Sequence, residues 1–334
     1  MGSESLDEGP AIPDSLPFRR YVALIGAPKC GTTSLANWLN CSPDFVLAEN
    51  KEPGLFRSPG GPLWVDSRRR RKHSWTGAQR DAFWKAFPNV PEGAWALDAS
   101  TDHLSDERAV DGLAKLAQRV PVKILCIVRD PVDRAFSEYK HTIRSGIEHL
   151  SFRGSLKAEA ARMQAGFQPL FFHRRRSQFH ADICRYRHSF GRDMLVLPYG
   201  AIRSAETLIE QICHFVGVPP FSLERFTSKN VSASPPPRYP DMIRRNPLLR
   251  RLRSTSVGRA LERGAAYALT ARSKARMDLR DADARFLAEQ LRHDIEACVA
   301  DPQIPTDDWW SPALLSGREA LGHGSRTRSS RVQR

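Results

Sequence analysis

The sequence predicts an α/β fold in which a central parallel sheet is flanked by helices, and three observations support this prediction. Short runs of apolar and β-branched residues alternate with segments of helical periodicity along the chain. The first apolar run leads through a glycine-containing turn into a helical segment, and a later run ends at an Asp-Pro pair that suits a helix start. Such alternation is typical of parallel strands joined by crossover helices.

Four apolar runs are predicted as buried strands, at 21–25, 95–97, 122–128 and 194–197. Helices are predicted at 32–39, after the turn GAPKCG, and at 281–300. Another helix begins at Asp130, which can cap it, with Pro131 in the first turn and Gly146 as its stop. The last helix carries apolar residues at steps of four, which are predicted to pack against the core: Leu287, Leu291, Ile295 and Val299.

The composition is that of a globular protein with a strong positive charge. The chain has 334 residues, of which 41% are hydrophobic and 26% are charged, so disorder throughout is excluded. The formal net charge is +14, which is expected of a protein that meets polyanions, phosphorylated cofactors or anionic surfaces. Residues 238–280 hold twelve Arg or Lys against three acids and thus carry much of this excess.

No run approaches the ~18 apolar residues of a membrane span, and the start MGSESLDEGP lacks the features of a signal peptide. A soluble, cytoplasmic protein is expected. The six cysteines form no CxxC or CxxH pair, so they are predicted to be reduced thiols, without a metal site.

One domain is predicted over residues 18–312, between flexible tails at 1–17 and 313–334. The stretch 57–91 is interrupted by Gly, Pro and the basic run 68–72, which predicts a long loop or insertion.

The segment GAPKCGTTS at 26–34 has the properties of an anion-binding turn. It follows a strand and opens a helix, so backbone N–H groups and the positive end of the helix dipole surround one point. A nucleotide triphosphatase loop has lysine just before its Ser or Thr, but here Thr32 stands there and the lysine is Lys29. This difference disfavours an ATP hydrolase or kinase.

The string Pro28 to Leu35 (PKCGTTSL) resembles the 5′-phosphosulfate loop of sulfotransferases that use 3′-phosphoadenosine 5′-phosphosulfate (PAPS). The resemblance implies a P-loop-like three-layer fold and no required metal. It also implies that Lys29 acts in catalysis and that the loop binds the 5′ side of the cofactor through Lys29, Cys30, Gly31, Thr32, Thr33 and Ser34.

A second motif, RDPVDRAFSEY, begins at Arg129. Ser137 lies seven residues after Asp130, and seven steps of 100° return it to the same side of the helix, so Arg129 and Ser137 can address one anion. The motif resembles the family's string that grips the 3′-phosphate, a group that ATP lacks. Residues 229–238 resemble the loop that closes on the cofactor, which implies contacts from Lys229 and Arg238.

Transfer to a hydroxyl requires a group that accepts its proton. Glu52 is the first candidate, because Pro53 keeps it in an extended loop and the segment KEPGLF resembles the general-base motif of carbohydrate-type and many bacterial sulfotransferases. His103 is the alternative, by resemblance to the catalytic histidine of cytosolic sulfotransferases. The acceptor side is predicted to include Lys51, Asp98, Ser100 and Thr101.

The sequence therefore predicts a sulfotransferase that uses PAPS and leaves adenosine 3′,5′-bisphosphate (PAP). The acceptor is expected to be a saccharide or another small hydroxylated metabolite. Two alternatives stay open: a P-loop small-molecule kinase, and a non-catalytic polyanion-binding protein that uses the Arg-rich region 238–280. No recognition helix or RNA-binding signature is present, so nucleic acid is not an expected partner.

Overall fold

A five-stranded parallel sheet lies at the centre of the computed structural model, which describes residues 12–56, 64–66, 69–71, 84–87, 90–145, 147–223 and 278–316. The strands are β1 Tyr21–Gly26, β2 Phe45–Leu47, β3 Trp64–Asp66, β4 Arg69–Arg71, β5 Trp95–Asp98, β6 Val122–Val128 and β7 Met194–Pro198. The sheet has the order β2-β5-β1-β6-β7, and all of its neighbouring pairs are parallel. Strands β3 and β4 form a separate antiparallel hairpin.

The strand order places a ligand crevice between β1 and β6. From β1 the chain crosses to β2 and β5 on one side of the sheet, then returns to β6 and β7 on the other. Open α/β sheets bind ligands where this direction reverses, beyond the carboxyl ends of the strands. The residues that follow β1 and β6 are the two motifs identified in the sequence.

Three of the helices begin at a residue whose side chain caps them. Asp106, Asp130 and Ser151 each accept a backbone N–H in the first turn of the helix that follows. The helices are α1 Thr32–Leu39, α2 Glu107–Ala117, α3 Pro131–Arg144, α4 Phe152–Gln164, α5 His180–Phe190, α6 Ala205–Val216, α7 Asp281–Ala300 and α8 Ser311–Leu315.

The predicted α/β class and central parallel sheet are confirmed. All six residues of β1 are buried, as expected for a strand covered by helices on both faces. A second apolar cluster joins α3 to α4, α7 and α8 and includes Phe136, Phe152, Leu287 and Leu314. Within the described residues, no helix is both long and apolar enough to cross a membrane.

The predicted packing of α7 is wrong at one position. Leu287, Leu291 and Ile295 are buried, but the side chain of Val299 is 49% exposed. Steps of four residues rotate by 400°, so each step drifts about 40° around the helix and the fourth residue leaves the packed face. Cys298 is buried instead.

The stretch 57–91 contains more structure than a loop. It includes the β3–β4 hairpin, and Trp84 and Phe87 pack into the main core. At the predicted domain edges, α8 continues past residue 312, and Ile12 and Leu16 pack against the core. Of the Arg-rich region 238–280, only residues 278–280 belong to the described part of the chain.

Candidate active site

The turn between β1 and α1 forms a cradle of backbone N–H groups. Gly31 caps α1 with a φ of 83°, and a Cβ atom there would lie 3.0 Å from Ile202 Cγ1, so glycine suits both the backbone and the space. The first N–H groups of α1, from Thr32 onward, have no acceptor within the helix. Together with the helix dipole they favour an anion at this point.

Lys29 lies in this turn with a φ of 69°, an uncommon conformation for a residue other than glycine. Its surroundings lower the pKa of its amino group: burial contributes most, followed by the positive charge of Arg144, whereas Glu138 opposes the shift. The amino group therefore lies in the electrostatic field of α3, which carries both of these residues. Such backbone conformations are concentrated at functional sites.

Cys30 is buried and chemically quiet. Burial raises the pKa of its thiol to about 12, so the thiolate that would react is absent at neutral pH. Its backbone N–H donates to the carbonyl of Ala27, 3.2 Å away, which helps to close the turn. The thiol of Cys30 is therefore not a reactive group, and the contact of Cys30 with the cofactor stays a prediction.

Arg129 brings the second motif to the same place. Its Nη1 donates to the carbonyl oxygen of Lys29, 3.5 Å away, and its Nη2 pairs with Asp133 at 3.2 Å. The guanidinium lies 4.5 Å from the ring centroid of Tyr199. Its Nε is buried and has no hydrogen-bond partner among the described residues. A buried donor without a partner at the mouth of the crevice suits an anionic ligand.

Ser137 lies on the face of α3 that also carries Asp133, the partner of Arg129. Asp133, which pairs with Arg129, is one turn before Ser137, and residues four apart share a helix face. The helix start is fixed by Asp130, whose Oδ1 accepts the N–H groups of Val132 and Asp133. Ser137 is half-buried.

The Glu52 loop is anchored on both sides of Glu52. The carbonyl of Lys51 accepts the N–H of Ala99 at 3.1 Å, and the N–H of Gly54 donates to Ser100 Oγ at 2.8 Å. The Glu52 side chain itself is 47% exposed and lies 2.5 Å from Lys51 Nζ. A fixed backbone with an accessible carboxylate is suitable for a proton acceptor.

A buried cluster of charges connects this loop to α3. Glu138 accepts hydrogen bonds from Arg134 at 2.8 Å and from Arg176 at 2.7 Å, and Arg176 also pairs with Asp102. The carboxylate of Glu52 is close enough to act electrostatically on Arg176. The sequence analysis missed this cluster, although Arg134 and Glu138 are four apart in the second motif.

His141 is a further residue that the sequence analysis missed. Burial, with added repulsion from Lys29 and Arg144, lowers the pKa of its imidazole to about 4. The ring is therefore neutral at pH 7 and lies beside the cations of the site. Its position four residues after Ser137 is the sequence signal that could have identified it.

The other predicted acceptor-side residues lie deeper in the protein. Asp98 is fully buried and accepts hydrogen bonds from Tyr21 Oη at 2.6 Å and from the N–H of Ser100 at 2.8 Å. The side chain of His103 is 1% exposed, with Nδ1 3.9 Å from Asp98 Oδ2. Thr101 is buried. Glu52 is thus more accessible than His103. Lys229 and Arg238 lie outside the described residues.

Comparison with known proteins identifies the family. Residues 22–223 match the sequence model of the sulfotransferase family, and this range includes both motifs and the Glu52 loop. A search of the curated proteins found no match.

Three solved structures are similar to this chain to different degrees. A sulfotransferase from Alicyclobacillus acidocaldarius is 27% identical, with a TM-score of 0.54 over 68% of this chain and 89% of that one. The sulfotransferase domain of the curacin biosynthetic pathway is 10% identical, with a TM-score of 0.39 over 63% and 78% of the two chains. That of the Synechococcus PCC 7002 olefin synthase is 16% identical, with a TM-score of 0.42 over 70% and 86%.

Proposed function

Because the chain belongs to the sulfotransferase family, we propose that it transfers a sulfuryl group from PAPS to a hydroxyl of a saccharide or another small metabolite. One observation carries the proposal. The Arg129 guanidinium donates to the backbone of Lys29, so the two anion-binding motifs, about a hundred residues apart, meet at one crevice. The donor has two phosphorylated ends, and a site with two adjacent anion-binding elements suits it.

The residues present fit this donor. The N–H groups at the start of α1 are suited to the 5′ side. The guanidinium of Arg129, whose Nε has no partner within the described part of the chain, is suited to the 3′-phosphate, with Ser137 one helix turn beyond Asp133. When bound, the donor supplies the sulfuryl group and a phosphate leaving group. Lys229 and Arg238 are proposed to cover the cofactor.

Lys29 would neutralise negative charge on the oxygen that leaves. Its backbone carbonyl accepts a hydrogen bond from Arg129, which places Lys29 beside the second motif. A cation that is already in place costs no reorganisation during the reaction, which makes this kind of electrostatic stabilisation effective. The imidazole of His141 beside it is neutral at pH 7 and leaves Lys29 as the cation.

Glu52 would take the proton of the acceptor hydroxyl. Its carboxylate is accessible, and its loop is anchored at Lys51 and Gly54. His103 has a side chain enclosed in the core, which favours Glu52 as the base. Ser100 holds the Glu52 loop, and Lys51 is the residue of the predicted acceptor side that lies next to the carboxylate.

Labelled sulfuryl transfer from PAPS to a panel of hydroxylated saccharides and phenols tests the proposal. Glu52→Gln should lower transfer by about 10²–10⁴-fold while PAP binding is retained. Lys29→Ala should lower kcat by about 10²–10³-fold. The exposed residues Glu49 and Lys157 provide matched controls, because Glu49→Gln and Lys157→Ala should leave transfer unchanged.

Two outcomes would overturn the assignment. Magnesium-dependent consumption of ATP, without transfer from PAPS, would indicate a kinase. Steeply salt-dependent binding of polyanions, without transfer to any acceptor, would indicate a binding protein. Normal transfer by the Glu52→Gln variant would remove Glu52 from the role of base and favour His103.

A further inference from the structure

Three metal-ligating side chains meet where α5 passes the C-terminal end of α7. His180 and Cys184 lie one turn apart on α5, and Asp301 follows the last residue of α7. The Nε2 atom of His180 is 3.7 Å from Cys184 Sγ and 3.7 Å from Asp301 Oδ2. All three ligand atoms lie within 4.8 Å of one another, and all three residues are partly buried.

These separations are close to those of a tetrahedral site. Zinc binds nitrogen and oxygen at about 2.0–2.2 Å and sulfur at about 2.3 Å, so neighbouring ligand atoms of a tetrahedron lie about 3.3–3.8 Å apart. Two of the three edges already have this length. We propose that His180, Cys184 and Asp301 bind one Zn²⁺ ion, with water as the fourth ligand.

The charges of the ligands suit a divalent ion. A thiolate and a carboxylate together balance the two positive charges, and a neutral imidazole completes the set. The carboxylate of Asp301 accepts hydrogen bonds from Arg187 and from the N–H of Gln303, which hold it in place beside His180.

Arg187 is the group that competes with the ion. Its Nη2 contacts two of the three ligand atoms, Asp301 Oδ2 at 2.5 Å and Cys184 Sγ at 3.6 Å. Its Nη1 has separate partners, Asp301 Oδ1 at 3.0 Å and Gln303 Oε1 at 2.5 Å. Binding thus requires Nη2 to move aside, while Nη1 can keep the guanidinium as an outer partner of the carboxylate.

An ion here would join α5 to the end of α7. The N–H groups of Phe179 and His180, at the start of α5, already donate to Asp294 on α7. The ion would add a further connection beside the existing ion pair between Arg187 of α5 and Asp301. No metal site was predicted from the sequence, because only cysteine pairs were considered and because Asp301, just after the end of α7, is more than a hundred residues from His180 and Cys184. The site does not depend on the proposed reaction.

Cobalt titration of the reduced, metal-free full-length protein tests the proposal. One equivalent of Co²⁺ should produce a thiolate-to-cobalt charge-transfer band, and Zn²⁺ should displace it. Cys184→Ser should abolish the band. His180→Gln and Asp301→Asn should each weaken Co²⁺ binding by more than ~100-fold, because loss of a residue that only hydrogen-bonds a metal ligand already costs up to about that much. Cys41→Ser is the matched control, because Cys41 is another partly buried thiol outside the trio.

Arg187 provides a test in the opposite direction. Arg187→Gln removes the competing cation and should tighten Zn²⁺ binding by calorimetry, whereas a merely structural salt bridge predicts no gain. Saturating Zn²⁺, at about 100 times its Kd, should raise the Tm of the wild-type protein by ~5 °C. The absence of a charge-transfer band in the wild-type protein, or a band that persists in Cys184→Ser, would overturn the proposal.

Discussion

The ion cluster at Glu138 makes a quantitative prediction about stability. The Glu138 carboxylate is fully buried and accepts hydrogen bonds from two buried guanidinium groups, those of Arg134 and Arg176. Glu138→Gln keeps the shape of the side chain but leaves these guanidinium groups without their shared anion. Removing one partner of a buried ion pair costs about 3–5 kcal/mol, so the free energy of unfolding should fall by about that amount.

The contribution of the Glu138 carboxylate to the free energy of unfolding should depend on pH in a defined direction. Burial alone raises the pKa of Glu138, but Arg134 and Arg176 outweigh it and hold the pKa well below the usual 4.5. A depressed folded-state pKa gives stability that is present above the unfolded-state pKa and is lost as pH falls through the folded-state pKa. The difference between the wild-type and Glu138→Gln proteins should therefore be full at pH 7 and become smaller below about pH 4.5.

Urea unfolding followed by circular dichroism measures this difference. The control is Glu289→Gln, which removes a carboxylate from an exposed pair with Arg292 on α7 and should leave the midpoint almost unchanged. A loss of less than about 1 kcal/mol for Glu138→Gln, with an unaltered m-value, would refute the description of Glu138 as the shared anion of the cluster.

Three further variants test local features. Ser100→Ala leaves the Gly54 N–H without its acceptor. The variant should show a kcat about tenfold lower, which corresponds to ~1.4 kcal/mol of activation free energy, with unchanged PAP affinity. An unchanged kcat would contradict this role of Ser100. Gly31→Ala places a Cβ atom 3.0 Å from Ile202 at a residue with a left-handed backbone conformation. Thermal unfolding should show that the variant is less stable by about 1–2 kcal/mol. An equally stable variant would argue against the requirement for glycine at this position. Asp130→Ala removes the cap of α3 and also the acceptor of the N–H groups of Trp310 and Ser311 at the start of α8. The free energy of unfolding in urea should fall by about 2–4 kcal/mol. A loss below about 1 kcal/mol would exclude this role of Asp130.

Much of the fold could be predicted because its signals are local. The strand β6 was predicted at its observed bounds from a run of apolar residues, and α1 from the turn that precedes it. The start of α3 followed from Asp130 and Pro131, which act within a single turn. By contrast, β2 was missed because three residues are too short a run for a periodic pattern.

The site was predictable only where its residues lie in contiguous motifs. Arg129 and Lys29 could be named from two strings, and their meeting followed from the position of parallel strands in a sheet. The partners of Arg176 could not be named from the sequence, because Glu138 and Asp102 lie 38 and 74 residues away and only the folded chain brings them together. The burial of His103 likewise depends on packing and not on its neighbours in sequence.

The central claim is that one crevice holds both phosphorylated ends of the donor nucleotide. Calorimetry with PAP and with adenosine 5′-phosphate tests it most directly, because the two ligands differ in the 3′-phosphate. PAP should bind at least ~100-fold more tightly, and Arg129→Ala should remove most of this difference, since a charge-assisted contact to the phosphate is lost. Equal affinity for the two nucleotides, or a preference for PAP that survives in Arg129→Ala, would contradict it.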